Sequence, residues 1–597
     1  MPARRRLAPI VAWLALGAAV LVATFDPSFR ATRVLVRGEA GVPADAGRRV
    51  TFAVEGARRP VPPGLVTADG AGRFSIEPAS GFGHGPPVVR ARGGARVLDR
   101  ARLEFEAPGG GEAGGGPWSV EVRNYRAGGG WPPVWVVPGG VLGARVVAHP
   151  LAVALVFLGL PLALVAARAA WRRGGAPAAF LLALAVYLSN AERIGEVDAK
   201  PAPYVAISLL RDGDVDLDEF EGLRERASSV VVPGRDGRLR SKVPPGNVLV
   251  ALPFFALPVW IGGLEAGSPA VDGLAKLVAA LATAAAAALV QAAASARAPG
   301  RPARLAFVAF AFGTGAFSTA AQDLWPHGPA LLGVALAAHA LVARAPTPGS
   351  AALAGAGAGL ALLARPIDGL LGLVALAVCA RRGPRALVAF AAGAAPFALL
   401  LAGWNQACFG APWRTGYGAE AAAFTGPWLE GLAGLLVAPS RGLLVYSPAL
   451  ALAVPGFLAL RRRRAPAPAP AAGDPGGAAL LILALYPVLL WLASAKWHAW
   501  VGGWSYGPRL ILDAMPVLAL LVAEAGPRLE GSARRRAFAY ALVGWSVAVQ
   551  ALHAYAPSND WHARHEHDLG RAAWSVADTQ IGDHAGRLLG ASRGGPR

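Results

Sequence analysis

The chain alternates between two textures. One is a series of long apolar runs, each closed by a short basic cluster. The other is a set of polar stretches too long to be simple turns. The runs lie near 7–25, 149–167, 178–189, 247–263, 270–295, 305–321, 329–343, 351–364, 369–380, 386–402, 443–460, 478–494, 510–523 and 537–553. Many approach the roughly 20 residues that a membrane helix needs. The pattern predicts a mainly α, polytopic transmembrane bundle of about 12–14 helices. MPARRR before Leu7–Phe25 fits an N-terminal membrane anchor or a signal segment.

The stretch from Asp26 to Arg145 differs in kind. Short β-type runs, among them Thr32–Gly38, Arg48–Gly56, Gly72–Pro78, Pro86–Gly93, Arg102–Ala107, Trp118–Asn124 and Pro133–Pro138, are punctuated by Gly, Pro and Asp. Such alternation is the strand signal. It predicts a β-rich domain over 26–145, sandwich-like and outside the membrane. No motif in it carries recognisable chemistry, so a structural or partner-binding role is the simplest reading. The helical module then covers 146–553, and a polar tail covers 554–597.

Basic clusters at Arg168/Arg172/Arg173, Arg297/Arg301/Arg304, Arg381/Arg382/Arg385, Arg461–Arg464 and Arg534–Arg536 mark cytoplasmic ends. The loops 322–328, 365–368, 404–441 and 495–509 then fall outside, with the acidic loop 190–246. One conflict remains. Counting forward from the acidic loop places Arg297–Arg304 outside, whereas its charge places it inside. A broken segment at Pro253 and Pro258, re-entrant or part of one split helix, would remove the conflict.

Composition narrows the classes. Hydrophobic residues make up 54% of the 597 positions and charged residues only 16%, below the roughly 25% charged of an average soluble chain. Mean hydropathy is +0.44. The net charge of +20 would suggest nucleic acid in a soluble protein, but here it follows the positive-inside pattern, and no nucleic-acid partner is expected. Two cysteines, Cys379 and Cys408, make no disulfide framework.

Candidate chemistry sits in the outer loops. Asp198, in EVDAKPAP, reads as a general base or as a solvated carboxylate. Asp216 and Asp218 form a DxD, which suits either a cation or the cap of a short helix. Lys242, just before Pro244-Pro245, suits a lipid phosphate or an interfacial snorkelling position. Arg365, Arg441 and Arg509 suit phosphate binding or interface anchoring. His327 and His498 stand among aromatics. Trp504 and Tyr506 fit an interfacial belt or a sugar-stacking platform. His553, His562, His565 and His567 form only a loose metal pattern, and no metal or other cofactor is implied.

Four stretches resemble the GT-C superfamily of polytopic glycosyltransferases, which includes protein O-mannosyltransferases and aminoarabinose lipid A transferases. They are Asp198 with PAPYVAISLLRDGDVDLDEF, SKVPPGNVLVALPFF, LLARPIDGLLGL with CFGAPWRTGYG…PSRGLLVYSPAL, and KWHAWVGGWSYGPRLILDAMP. The last two look like a bacterial subgroup of such proteins. The resemblance covers roughly 178–523. It implies an inverting transfer of a sugar from a polyprenyl-phosphate donor to an envelope acceptor, at the outer face of a bacterial inner membrane. Asp198 would be the base, with Asp216 and Asp218 as alternates, because GEVDAKPA lacks a tidy acid pair. Lys242, with Arg365, Arg441 or Arg509, would hold the departing phosphate. The remaining function classes are a transporter or flippase for a lipid-linked or small solute, and an envelope scaffold.

Overall fold

The computed structural model describes seven strands between residues 33 and 123, and residues 175–588 apart from 191–192, 221–222, 263, 265 and 464–473. The expected anchor at 7–25, the run at 149–167 and the strand at Pro133–Pro138 lie outside the described residues. The chain divides into two units, and each is described by itself.

The first unit contains two antiparallel sheets. β1 (Arg33–Gly38), β2 (Thr51–Glu55), β5 (Val88–Arg92) and β7 (Trp118–Arg123) form one, in the order β2-β1-β7-β5. β3 (Leu65–Ala68), β4 (Arg73–Glu77) and β6 (Leu103–Glu106) form the other, in the order β3-β4-β6. Six of the sequence-predicted runs contain these strands, and Leu65–Ala68 is an addition. Val34 faces Val54 on one side and Val122 on the other, so the alternating apolar positions are in register.

The second unit is helical. Among the described residues, five helices are long and apolar enough to cross a membrane: Ala270–Arg297, Pro384–Phe409, Pro475–Lys496, Arg509–Glu530 and Ala533–Tyr555. Six shorter apolar helices accompany them, at Ala176–Leu188, Gly246–Trp260, His327–Val342, Pro348–Ala364, Pro366–Ala380 and Trp428–Val437. The core is built largely from alanine. Lipid offers no hydrophobic drive between helices, so small residues that let backbones approach supply the contact. A Cβ on Gly333 would lie 2.4 Å from Gly357 O, and one on Gly355 would lie 2.0 Å from Phe390 O.

The two ends of this unit differ chemically. At one end Arg297 pairs with Asp474 (2.5 Å) and Glu524 (2.7 Å), and Arg463 also reaches Glu524 (3.1 Å). Arg382 donates to Leu341 O there. Members of three clusters expected to share one side meet here, while Arg168, Arg172 and Arg173 lie outside the described residues. The polar loops collect at the opposite end, around the acidic loop.

The conflict near 247–304 now has a physical answer. Asn247 Nδ2, at the start of Gly246–Trp260, donates to Leu324 O (2.9 Å). At the other flank, Asp272 pairs with Arg193, which also holds Asp323 (2.7 Å). The chain therefore enters and leaves 246–272 at the same end of the unit. Trp260 Nε1 donates to Leu210 O (2.9 Å), which ties this Pro-containing helix to the helix Pro201–Arg211 beside it. The long helix that follows then carries Arg297 to the basic end.

The tail, expected only as a polar segment, carries helices of its own. Residues 556–588 form the short helices Asp560–Arg564, Leu569–Ala572 and Gln580–Leu588. They pack at the polar end, behind the loop 497–508.

Candidate active site

Asp198 lies in a 3-10 turn, Val197–Ala199, immediately before Pro201–Arg211. Its carboxylate is closed by the guanidinium of Arg509. Arg509 also donates to Gly502 O (2.8 Å), and its guanidinium lies 5.0 Å from the Trp325 ring centroid. Gly502, Gly503 and Gly507 all have positive φ, between 64° and 76°. These glycines let GGWSYG fold back so that Gly502 O meets Arg509. Burial acts to raise the Asp198 pKa. Arg509 overrides it, with smaller help from His327 and Lys242, and holds the carboxyl below its ordinary value. The side chain remains 31% exposed, so it is screened yet reachable.

The alternates Asp216 and Asp218 are tied to the loop itself. β8 (Val231–Pro233) and β9 (Leu239–Ser241) form an antiparallel hairpin. Asp218 accepts from Leu239 N (2.9 Å), and buried Asp216 pairs with Arg238 (2.5 Å). Asp214 accepts from Ser208 Oγ (2.8 Å). The carboxylates of DGDVDLD hold the hairpin against Pro201–Arg211.

Lys242 follows that hairpin directly. Its ammonium closes on Glu420 and lies 5.0 Å from the Tyr417 ring centroid. Arg365, the residue after Pro348–Ala364, closes on buried Asp513. His327 Nδ1 lies 3.0 Å from the other oxygen of Asp513 and 3.4 Å from the Arg365 guanidinium. Asp368 accepts from Tyr486 OH (2.8 Å). Tyr417 joins the groups into one site. Burial chiefly, and then the Asp198 charge, push its phenol up to about 12, while Arg365 and Arg509 act against them. The structure thus brings Asp198, Lys242, Arg365, Arg509 and His327 together at one end of the bundle.

Arg441 behaves differently. It is fully buried, and its guanidinium donates to the carbonyls of Val501 (2.5 Å), Ser440 (3.0 Å) and Gly503 (2.9 Å), against the Trp561 ring (5.3 Å). It braces the loop that carries Arg509. Trp504 stacks on His562 (5.5 Å), and Tyr506 stacks on His553 (4.6 Å) while its hydroxyl donates to Val549 O (2.9 Å). Tyr506 is buried and also meets His584 of the tail edge-on at 4.8 Å, so both aromatic residues touch a histidine of the tail. His498 is more open, with Nε2 3.9 Å from Glu420 Oε1. His565 meets Asp578 (2.9 Å). Burial first, and then Arg441, bring His562 down to about 3. Among the described residues no group of three His, Cys, Asp or Glu gathers that could hold a metal.

Several residues of the site carry no local signal. Asp513 stands inside an apolar run, Glu420 inside an Ala-rich stretch, and Glu196 two positions before Asp198. Glu196 accepts from Asn559 Nδ2 (2.7 Å), which brings the C-terminal segment to the edge of the site.

No protein-family model matches the sequence, and no curated protein matches it. Among solved structures the chain is similar to the oligosaccharyltransferase of Archaeoglobus fulgidus in its apo form, with 13% identity and a TM-score of 0.37, over 68% of this chain and 60% of that one. It is similar to the same organism's oligosaccharyltransferase AglB in complex with an inhibitory peptide and a dolichol-phosphate, with 14% identity and a TM-score of 0.38, over 69% of this chain and 61% of that one. It is also similar to ArnT from Cupriavidus metallidurans in the apo state, with 14% identity and a TM-score of 0.36, over 69% of this chain and 75% of that one. The chain spans about 60% of the length of the oligosaccharyltransferase structures that it matches.

Proposed function

We propose that the protein is an integral-membrane glycosyltransferase that moves a sugar from a polyprenyl-phosphate donor to an envelope acceptor. The observation that carries this reading is the gathering of one reachable carboxylate, Asp198, with three cations, Lys242, Arg365 and Arg509, at one end of an apolar helical unit. A carboxylate can take a proton, and cations beside it can stabilise a departing phosphate. The apolar helices alongside suit a lipid tail.

In this reading the acceptor hydroxyl or amine gives its proton to Asp198 as it attacks the anomeric carbon. The bond from that carbon to the phosphate oxygen breaks, its electron pair leaves with the polyprenyl phosphate, and the configuration inverts. Arg509 exchanges Asp198 for a phosphate oxygen, which frees the carboxylate to act. Arg365 is held in place by Asp513 and His327. Arg441 acts through the loop rather than on the donor. His498 and the rim near Glu196 suit sugar or acceptor contact. The site faces outward from a bacterial inner membrane, and no cofactor takes part.

The test is donor turnover. The purified protein, incubated with a panel of polyprenyl-phosphate sugars and crude envelope acceptor, should release polyprenyl phosphate detectable by mass spectrometry. A folded protein that releases none across a broad panel would favour transport or scaffolding instead.

A further inference from the structure

The segment between Pro384–Phe409 and Trp428–Val437 runs as a strap across the site. Near one end, Gly416 approaches the Lys242 backbone so closely that a Cβ would lie 2.5 Å from Lys242 Cα. At the other end, Gly426 N donates to Lys496 O (2.9 Å), Lys496 Nζ donates to Gly426 O (3.1 Å), and His498 N donates to Ala423 O (2.9 Å). Phe424 meets Trp497 edge-on at 5.2 Å. Between these anchors Glu420 closes on Lys242, while its other oxygen lies 3.9 Å from His498 Nε2. The lysine side chain is 14% exposed and the glutamate 37%.

A phosphate arriving at Lys242 would meet this carboxylate, and two anions a few ångströms apart repel strongly in a partly dry site. We propose that Glu420 sets the site's affinity for lipid phosphate, as an internal carboxylate that must leave Lys242 before a phosphate is held there. The inference rests on the proposed role of Lys242 in donor binding. The backbone of the strap need not move. The Glu420 side chain is the more exposed partner, and His498 offers it a second resting place. Observed affinity is then the intrinsic affinity scaled by the fraction of molecules with Lys242 open. The same carboxylate, returning to Lys242, helps the released polyprenyl phosphate to leave.

The test uses the full-length protein in detergent, with decaprenyl phosphate as the probe and binding read by tryptophan fluorescence. Glu420→Gln keeps the size and removes the charge, and should tighten binding about tenfold. Glu420→Asp, with a shorter arm, should fall between. The gain should vanish when Lys242→Ala is added. Unchanged or weakened binding in Glu420→Gln, with Lys242→Ala still weakening it, would overturn the inference and leave the phosphate reading intact. So would an equal gain with and without Lys242. If Lys242→Ala weakens nothing, the phosphate reading itself falls. Should Glu420→Gln fail to elute as a folded monodisperse species, Glu420→Asp decides alone: tighter binding supports the inference and unchanged binding refutes it.

Discussion

The guanidinium of Arg509 closes on the carboxylate of Asp198, 311 positions earlier in the chain. That contact joins the acidic loop to the GGWSYGPR loop and sets the charge state of the proposed base. Arg509 outweighs burial and keeps the Asp198 pKa low, so the carboxylate survives into acid. Its contribution to stability is present above the unfolded carboxylate pKa of about 3.9 and is lost as pH falls through the lower folded value. Replacing Arg509 leaves burial unopposed and raises that pKa. In Arg509→Gln the acid limb of the kcat–pH profile should therefore move to higher pH, whatever happens to the maximum rate. An acid limb at the wild-type position would separate Asp198 from the limb.

Asp513 is fully buried between Arg365 and His327. Taking away one partner of a buried ion pair strands the other, at about 3–5 kcal/mol. Asp513→Ala should lower the thermal stability in detergent by that order, and Arg365→Met added to it should recover part of the loss. Additive losses in the double mutant, read by thermal unfolding, would mean that the two side chains do not interact.

The helices His327–Val342 and Pro348–Ala364 touch through Gly333 and Gly357. Each would place a Cβ within 2.6 Å of the other's carbonyl oxygen. Gly333→Val should destabilise by about 1–3 kcal/mol or more through overpacking, whereas Gly273→Ala, where a Cβ meets nothing within 4 Å, should not. Equal melting shifts in the two variants would contradict this packing.

Asp216 and Asp218 hold the β8–β9 hairpin through Arg238 and Leu239 N. Asp218→Asn should change transfer less than about tenfold, since an amide oxygen still accepts from Leu239 N. Loss as complete as that of an Asp198 variant would move the base to this part of the loop.

Much of this arrangement was legible beforehand, and the exceptions have physical causes. Arg297, Arg382 and Arg463 could be assigned to one end and the polar loops to the other because charge at a helix end is a local property. Asp198, Lys242, Arg365, Arg509 and His327 could be named because ionisable groups beside apolar runs stand out. Their partners could not. Glu420 and Asp513 take their meaning from contacts across 178 and 148 positions, which no local pattern carries. Arg441 had the same local appearance as Arg365, yet its donors go to backbone carbonyls. Trp504 and Tyr506 read as an interfacial belt or a sugar platform because nothing local shows that His562 and His584 of the tail pack against them. The helix Gly246–Trp260 has the hydrophobicity of a span, but its bond to Leu210 and its two flanks keep it at one end.

In the proposed reaction Asp198 takes the acceptor's proton. Asp198→Asn is nearly isosteric and removes only the basic carboxylate. Release of polyprenyl phosphate should be measured by mass spectrometry for the wild type and this variant, with matched folding by size exclusion and thermal unfolding. Turnover by the wild type and a loss of at least about 100-fold in the variant, the range of a general base, are expected. Turnover by Asp198→Asn within a few-fold of the wild type would contradict that role.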